Sequence, residues 1–341
     1  MVYTANRAAF NSAVQISTPI ISDRYGDIFF GFTAGSNPLN LLSGIARIDF
    51  NGNGSYISAV AASGGDASII EVPTNSAPAL SIDNFTMYFA VSRGASTGGY
   101  LVSVDSRNLS PIAHVALKDP KLGFDAVLLD DSSASPTVGP DGDVYYGVFE
   151  SSCCGNNHDR GWLLHFDKTL AHSKTSGAFG WDTTASIVTS KLVPSCHGSS
   201  TYLVFTKYNN YIQFGDGQNK IAILDPNATE VDPVSGAITM KEILTLLGPT
   251  PDLVTGGVKE WCINSAAVDP FTHSIIANSE DGTVYRWDLT SPGAPSQFLP
   301  LTAGVAEGIH AHGNRGGWHR VRDQRRCSLR GRTVTGRTYD P

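Results

Sequence analysis

The sequence predicts an all-β protein, a β-propeller of about six four-stranded blades, and two observations lead to this prediction. The first is a short strand that closes on aspartate and recurs as ARIDF, VSVDS, LHFDK, AILDP and YRWDL. The closing residues follow at steps of 56, 62, 58 and 63 residues and are Asp49, Asp105, Asp167, Asp225 and Asp288. A period near this length, built from strands alone, is typical of one propeller blade per repeat.

The second observation is composition. The chain of 341 residues contains 35 glycines and 18 prolines, which suits many short strands joined by tight turns. Charged residues make up 16%, below the roughly one quarter that is usual, so long amphipathic helices are not expected. There is no run of about 18 apolar residues, so no membrane partner is expected. The N-terminal MVYTANRAAF lacks the apolar core of a signal peptide.

Five blades follow one another along the chain. The first three begin with a small-residue strand that carries a proline, at Pro19, Pro78 and Pro136. Proline is tolerated there because the inner strand of a blade has a free edge. Residues 1–14 are predicted to be an outer strand that pairs with the last blade and closes the ring. From inner strand to closing aspartate, the predicted blades cover 17–49, 76–105, 133–167, 195–225 and 260–288.

The end of the chain differs in charge from the rest. Residues 308–341 hold eight arginines and two aspartates, a net +6, whereas the remainder has 16 basic and 29 acidic residues, a net −13. We therefore separate a propeller domain, 1–307, from an Arg-rich tail, 308–341. Such a tail could be a basic arm for nucleic acid. A reading-frame change after Glu307 explains it better, so no nucleic-acid partner is predicted.

The genetic code supports the frame change. Codons can be chosen for the residues from Gly308 onward such that translation in a frame shifted by one base gives AYTPTVIGADGTVYAINDAVLFAVG. This sequence parallels SASPTVGPDGDVYYGVF at 133–149. Freedom at the wobble bases accounts for part of this match. The glycine that Trp318 and His319 must yield is forced, however, and it falls on the turn glycine of the D-G-T-V-Y motif. The tail is therefore interpreted as a frame-altered remnant of a sixth blade.

The alternation of SxPTVGPDGDVYYG with GWLLHFD resembles the blade repeat of quinoprotein-type, PQQ-like β-propellers over most of residues 15–290. By architecture the chain is also similar to calcium-dependent propeller lactonases. The resemblance implies a Ca²⁺ ion near the central channel and a periplasmic or secreted location. It is a match of repeats, which predicts a fold more specifically than an activity.

Candidate metal ligands are sought among oxygens, because the five cysteines form no CxxC motif and indicate structural thiols. The segment KYNNYIQFGDGQNK supplies Asn210 and Asp216, and ANSEDGTVY supplies Asn278 and Glu280. The predicted inner strand of blade five, EWCINSAAVDP, supplies Asn264, which like Glu260 breaks the repeat pattern. Carboxylate and amide oxygens are the ligands that Ca²⁺ prefers. Turn formation explains the DG and NN pairs about equally well.

Two candidate catalytic residues break the repeat pattern. Glu260 stands where other repeats have proline and small residues, and His197 in SCHGSS is predicted at the corresponding place in blade four. With Ca²⁺ polarising a carbonyl group, His197 or Glu260 would act as the base that activates water. The alternative for His197 is a buried, hydrogen-bonded histidine. His158 in CCGNNHDRGW is either a further base or part of a solvated hairpin loop.

The sequence leaves three functions open: two act on a small-molecule substrate, and the third binds another partner. The first is a calcium-dependent hydrolase of a small lactone or ester, with an N-acylhomoserine lactone as candidate substrate and quorum quenching as its role. The second is a quinoprotein sugar dehydrogenase that uses PQQ, although the acidic body offers few lysines and arginines for that cofactor. The third is a non-catalytic binding or scaffold module.

Overall fold

The structure is a computed structural model that describes residues 2–35, 40–94, 97–128, 134–151, 155–211 and 214–301. Its strands form five antiparallel sheets, each made of strands that follow one another along the chain. The propeller prediction is confirmed for these five blades. The predicted sixth blade, at 308–341, lies outside the described residues.

Short helices flank the first sheet, and the strands have the following bounds. Helices α1 (Val2–Ala5) and α2 (Arg7–Ala13) precede the first sheet, which contains β1 (Val14–Ile16), β2 (Ile21–Ser22), β3 (Ile28–Ala34), β4 (Gly44–Ile48) and β5 (Gly54–Ser58). Helix α3 (Ala59–Ala62) leads to the second sheet, with β6 (Ala79–Leu80), β7 (Thr86–Ser92), β8 (Gly99–Asp105) and β9 (Pro111–Ala116). The third sheet has β10 (Thr137–Val138), β11 (Val144–Val148) and β12 (Trp162–Phe166). The fourth has β13 (Ser186–Thr189), β14 (Tyr202–Tyr208), β15 (Lys220–Val231) and β16 (Ile238–Leu247), and the fifth has β17 (Ala267–Asp269), β18 (Ser274–Asn278), β19 (Thr283–Asp288) and β20 (Gln297–Pro300).

The repeated aspartates have a common structural cause. In all five blades the carboxylate accepts a hydrogen bond from the backbone N–H two residues later, at 2.8–3.0 Å. Aspartate favours this local turn because its short side chain can replace a backbone acceptor. The repeat therefore marks a turn at the end of the third strand in four blades, whereas in blade four Asp225 lies within β15, at a register shift.

The hydrophobic core lies between neighbouring blades. One cluster joins blades one and two around Phe29 and Phe89, and a second joins blades two and three around Tyr88 and Trp162. Two more clusters join blades three to four and four to five. Because side chains alternate between the two faces of a strand, the middle strands of a blade contribute to the cores on both sides. In β11 and β12 every residue is buried.

The prediction for residues 1–14 is wrong. Residues 2–13 form α1 and α2, and β1 pairs with β3 of the first sheet, with Val14 opposite Ala34. The segment RAAFNSA in α2 contains three alanines, the residue with the best intrinsic helix propensity. The N-terminal segment therefore extends the inner edge of the first blade, where β1 and β2 both pair with β3.

Two blades depart from the predicted pattern. The inner strand of blade four is β13, at 186–189, whereas the sequence predicted it near 195; SCHGSS belongs to the connection that follows. The β-branched SIVT fits a strand better than this run of turn residues. In blade three, isolated bridges Leu163–Gly177 and Phe166–Ser173 stand in place of a fourth strand. The long β15–β16 hairpin reaches this edge, because Met240 N donates to Ser176 O at 2.9 Å.

Within the described residues, no helix has the length and apolar character that a bilayer span requires. Cys262 forms a disulfide bond, whereas Cys196 carries a free thiol. The cysteines at 153, 154 and 327 lie outside the described residues.

Candidate functional site

The candidate site lies at one end of blades three to five, which we call the upper face. It is the end at which the second and third strands of each blade are connected, as β14 and β15 are by residues 209–219. Segments that join one blade to the next also reach it. The lower face is the opposite end, where the first and second strands of each blade are connected.

Glu260 is the centre of the charged groups on the upper face. Its carbonyl oxygen accepts hydrogen bonds from the backbone N–H of Glu280 at 3.0 Å and from Ser279 Oγ at 3.1 Å. Burial, and next the negative charge of Glu280, raise the pKa of Glu260 to about 8, while the positive charge of Lys207 opposes this rise. The Glu260 carboxyl group is therefore largely protonated at neutral pH.

Glu280 is held by a lysine of the segment that precedes blade five. Lys259 Nζ lies 3.3 Å from Glu280 Oε1 and 3.2 Å from Asp252 Oδ1. Burial raises the pKa of Glu280, and the positive charge of Lys259 partly offsets this effect. In this region the pKa of both Glu260 and Glu280 is raised, and Lys259 forms an ion pair with Glu280.

Lys207 and an aromatic group border these carboxyl groups. Lys207 is the penultimate residue of β14, and its Nζ donates to the Asp182 carbonyl oxygen at 3.1 Å and lies 3.7 Å from Asp182 Oδ2. The same Nζ lies 5.9 Å from the centre of the Trp181 ring, close enough for a cation–π interaction. Phe149 and Tyr211 approach Trp181 edge-on, with ring centres 4.8 and 5.7 Å away.

Asn209 ties blade four to the segment that carries Glu260. Its Nδ2 donates to the Trp261 carbonyl oxygen at 3.1 Å, and its Oδ1 accepts from the Trp261 N–H at 3.1 Å. Paired hydrogen bonds of this kind fix both position and orientation of a buried segment. Glu260 is therefore fixed relative to β14 and Lys207.

Asn210 links the upper loops of blades three and four. Its Oδ1 lies 3.1 Å from His158 Nδ1, and its Nδ2 donates to Asp216 Oδ1 at 2.7 Å. His158 and Asp159 both have left-handed backbone conformations, with φ of 57° and 60°. Such conformations cost free energy in residues other than glycine and persist where the surroundings hold them.

A second carboxyl group with a raised pKa lies at the start of the same blade-three loop. Glu150 is buried, and its Oε2 accepts from the Asn157 N–H at 2.7 Å. Burial, and next the negative charge of Asp159, raise the pKa of Glu150 to about 8. The upper face thus has two glutamates that hold a proton near neutral pH.

The five predicted metal ligands all lie on the upper face but fall into two groups. Asn210 and Asp216 bond to each other on blade four. On blade five, Glu280 is paired with Lys259, and Asn278 Nδ2 donates to the Cys262 carbonyl oxygen. Asn264 contributes its carbonyl oxygen, which accepts from Thr184 N–H at 2.6 Å, and its side chain is on an exposed residue.

In the positions described, the five predicted ligands do not form a single calcium site. Among the described residues, no three His, Cys, Asp or Glu side chains come together in a way that could hold a metal ion. The amides of Asn210 and Asn278 are engaged with protein partners. Calcium binding therefore stays a prediction, and no chemical step is derived through a metal ion.

His197 lies apart from the other predicted site residues. It is exposed in the connection between β13 and β14, on the lower face, where Ser200 Oγ donates to Asp225 Oδ1 at 2.5 Å. The seven residues of β14 separate this connection from the upper loop, a distance of roughly 20 Å at about 3.3 Å per residue. The prediction that His197 occupies the place in blade four that Glu260 occupies in blade five is therefore wrong.

Sequence reasoning missed Lys207 and undervalued Trp181. Lys207 lies in YLVFTKY, on the same face of β14 as the buried Leu203 and Phe205, so a charged residue at that position was the available signal. A tryptophan in a blade repeat is ordinarily a packing residue, and Trp181 does pack against Val127. Its nearness to Lys207 depends on a long-range contact that no local pattern shows.

No protein-family model and no curated protein sequence matches this chain. Among solved structures, the chain is similar to the Dos1 propeller, with a TM-score of 0.51 and 16% identity, over 85% of this chain and 58% of that one. A europium-containing methanol dehydrogenase gives a TM-score of 0.44 and 13% identity, over 85% of this chain and 54% of that one. BamB from Moraxella catarrhalis gives a TM-score of 0.42 and 13% identity, over 84% of this chain and 76% of that one.

The chain spans little more than half the length of the first two of these structures. At such identities the likeness shows the fold alone, a β-propeller. The predicted resemblance to lactonases is not shown by these comparisons.

Proposed function

We propose that this chain is a β-propeller binding module whose upper face, over blades three to five, holds a small neutral ligand rich in hydrogen-bond acceptors. The observation that carries the proposal is the raised pKa of Glu260, on which the charge of Lys207 acts, together with the Trp181 ring that lies 5.9 Å from Lys207 Nζ. A carboxyl group that keeps its proton at neutral pH can donate a hydrogen bond to a carbonyl or hydroxyl oxygen. The Trp181 ring beside Lys207 is 6% exposed, so it would contact such a ligand with only a small part of its surface.

The rigidity of the surroundings supports binding. Asn209 fixes the Trp261 backbone, and Asp182 holds the Lys207 ammonium group. A site whose side chains are already held in place loses less conformational entropy when a ligand binds. Polar exceptions to an otherwise apolar repeat are also the places where function outweighs packing.

The test is a titration of isotope-labelled protein with D-glucose and, separately, N-butanoyl-homoserine lactone, followed by the Trp181 indole N–H resonance in NMR spectra. A Trp181→Phe variant assigns that resonance. We expect saturable shifts that weaken in Glu260→Gln and persist in Asp83→Asn, a control on the lower face of blade two. If neither compound shifts the resonance, the proposal is wrong.

A calcium-dependent hydrolase of a small lactone or ester is a second candidate. The pKa of about 8 for Glu260 favours it, because a general acid or base works best when its pKa is near the working pH. In its ionised form, Glu260 would take a proton from water as the water oxygen bonds to the carbonyl carbon, and would return that proton to the ring oxygen as the carbon–oxygen bond of the lactone breaks. His197 has no part in this candidate because it lies on the lower face.

Lactone opening, measured as acid release from N-butanoyl-homoserine lactone, tests the second candidate. The hydrolase hypothesis expects activity that EDTA abolishes and added Ca²⁺ restores, and that falls by about a hundredfold or more in Glu260→Gln. Activity that is indifferent to EDTA contradicts the metal mechanism. Saturable binding of the lactone without any opening supports the binding module.

The residues do not fit PQQ. Its carboxylates would need free cationic partners. Lys207 and Lys259, the lysines of the upper-face site, are already bound to Asp182, Asp252 and Glu280. No step is derived through that cofactor.

A further inference from the structure

Four asparagines of this chain stand in the motif Asn-x-Ser/Thr, in which x is not proline and which accepts N-linked glycans. They are Asn53 in NGS, Asn84 in NFT, Asn108 in NLS and Asn227 in NAT. All four lie in the described part of the chain. A motif of three residues recurs by chance, so its positions in the fold are more informative than its number.

All four motifs lie on the lower face. Asn84 is in the β6–β7 turn, and Asn53 and Asn108 are in the turns after the third strands of blades one and two, β4 and β8. Asn227 is in β15, and its Nδ2 donates to Ser200 Oγ, in the lower connection between β13 and β14, at 3.2 Å. The motifs thus mark one end of blades one, two and four.

The upper face is also rich in asparagine but lacks the motif. Its described asparagines include Asn156, Asn210 and Asn278, and none of those described on this face is followed two residues later by serine or threonine. Of the described asparagines on the lower face, only Asn51 is outside the motif. Turn formation favours asparagine on both faces, so it does not explain why the motif is confined to one.

The hydrogen bonds of Asn84 separate it from the other three. A glycan replaces one of the two hydrogens on Nδ2, so a glycosylated amide keeps a single N–H. Asn84 Nδ2 donates to Ser81 O at 3.1 Å and to Ile82 O at 3.4 Å, and its Oδ1 accepts from the Arg24 N–H at 3.1 Å. A glycan here would remove one of these bonds at the contact between the hairpins of blades one and two. Asn84 is therefore a structural residue.

The other three amides can each carry a glycan without loss of a hydrogen bond. Asn108 Oδ1 accepts from the Ser110 N–H at 2.8 Å, and its Nδ2 donates no hydrogen bond within the described part of the chain. Asn53 and Asn227 each donate one hydrogen bond from Nδ2, in the case of Asn53 to Asp49 Oδ2 at 3.0 Å. All three asparagines are exposed.

Exposed apolar side chains accompany the motifs on blades one and two. Tyr25, Phe50, Ile82 and Phe85 belong to lower-face turns and are 40–71% exposed. Apolar surface of this kind favours association between chains. A glycan is bulky and hydrophilic, so one at Asn53, three residues after Phe50, would cover part of this surface.

We propose that Asn53, Asn108 and Asn227 are N-glycosylation sites whose glycans cover the lower face and leave the upper face bare. The donor is an oligosaccharide linked through diphosphate to a lipid. Nδ2 bonds to the anomeric carbon of the oligosaccharide as the bond from that carbon to the diphosphate oxygen breaks. The lipid diphosphate leaves, and a base of the transferase takes the Nδ2 proton.

The disulfide bond of Cys262 agrees with this proposal. Disulfides form and persist in the oxidising compartments of the secretory pathway, where N-linked glycans are attached. The inference concerns the lower face and does not depend on the function proposed for the upper face.

The test is secretion of the full chain from cultured animal cells behind an added signal peptide. The mass of the intact protein is measured before and after peptide N-glycosidase F, which converts each glycosylated asparagine to aspartate, and peptide mapping identifies the sites. We expect glycans at Asn53, Asn108 and Asn227 and an unmodified Asn84. A chain without any glycan would overturn the proposal, and so would a glycan as frequent at Asn84 as at Asn108.

Single variants assign each glycan. Asn108→Gln and Ser110→Ala should each remove one glycan, because transfer requires both the amide and the hydroxyl group of the motif. Asn51→Gln is the matched control, since Asn51 is in the same turn as Asn53 but outside the motif, and it should leave the number of glycans unchanged. Protein retained inside the cells is digested and mapped in the same way, so poor secretion does not hide the result. An unchanged number of glycans in Asn108→Gln, or a loss in Asn51→Gln, would contradict the assignment.

Discussion

Two upper-face junctions bury charged side chains in opposite ways. Between blades three and four, the Arg160 Nη atoms donate to both oxygens of Asp232, at 3.1 and 2.6 Å, and the two side chains are 0% and 1% exposed. Arg160 Nε donates to the Asn157 carbonyl oxygen, and the guanidinium group lies 5.0 Å from the Tyr208 ring centre. Between blades four and five, Glu260 is half-buried, and its pKa is raised to about 8.

The difference lies in how the charge of each carboxyl group is balanced. Burial raises the pKa of Asp232, but the hydrogen bonds and charge of Arg160 outweigh this, and the pKa lies below its ordinary value. Asp232 also accepts from Ser235 N–H and Oγ, so this pair fastens the tip of the β15–β16 hairpin to blade three. Glu260 has no arginine partner of this kind among the described residues, and it holds a proton instead.

The largest expected effect is on the Arg160 junction. Asp232→Asn leaves the buried Arg160 charge without a counter-ion, which should lower the free energy of unfolding by about 3–5 kcal/mol. Urea unfolding, followed by tryptophan fluorescence, measures this loss. A loss below about 1 kcal/mol would mean that the Arg160–Asp232 pair contributes no more than an ordinary surface ion pair. The two junctions would then not differ in the way described.

The second effect is a pH dependence that arises from Glu260. Because its pKa is about 8 in the folded chain and 4.5 in the reference state, ionisation weakens the folded state as pH rises from about 4.5 to 8. The Glu260→Gln variant should therefore gain stability relative to the wild type between pH 5 and pH 9, by roughly 2 kcal/mol after allowance for partial solvent screening. Urea unfolding midpoints of the variant and the wild type at pH 5 and pH 9 measure the gain. If the difference in stability between the two proteins is the same at both pH values, the raised pKa of Glu260 is wrong.

A smaller effect is expected from Lys207→Met. The positive charge of Lys207 lowers the pKa of Glu260, so its removal should move the Glu260 midpoint to a pH above 8. An NMR titration of labelled glutamate carboxyl groups measures this shift. Lys220→Met is the matched control, because Lys220 lies at the other end of the upper loop, over the Tyr208 ring, and should leave the midpoint in place.

The smallest effect is expected at the exposed pair Asp105–Arg107. Arg107 is 64% exposed, and its Nη2 lies 2.5 Å from Asp105 Oδ2. Arg107→Gln should change the free energy of unfolding by less than about 1 kcal/mol, with a midpoint that shifts further at low salt than at high salt. An effect as large as that of Asp232→Asn would show that burial does not distinguish the two ion pairs.

The sequence predicted the parts of the fold that local chemistry determines. The aspartate repeat was sufficient to count blades, because each aspartate forms a turn with a backbone N–H only two residues away. Glu260 was found because it breaks the repeat. The inner strand of blade four was misplaced because SIVT is too short to stand out until β14 pairs with it.

The remaining features depend on contacts between distant segments. Lys207 meets Asp182 and Trp181 across 25 and 26 positions, and Arg160 meets Asp232 across 72. Such contacts decide whether a buried charged residue has a partner of opposite charge or has a shifted pKa instead. His197 was assigned to the wrong face for the same reason, since the face depends on which strand pairs with β13.

The protonation of Glu260 is the claim on which the binding site rests, and a direct measurement of that proton tests it. The ¹³C chemical shift of the Glu260 carboxyl group, assigned by its loss in Glu260→Gln, should titrate with a midpoint near pH 8 in the native chain. A midpoint near the ordinary value of 4.5 would show an ionised, solvated carboxylate and contradict the account.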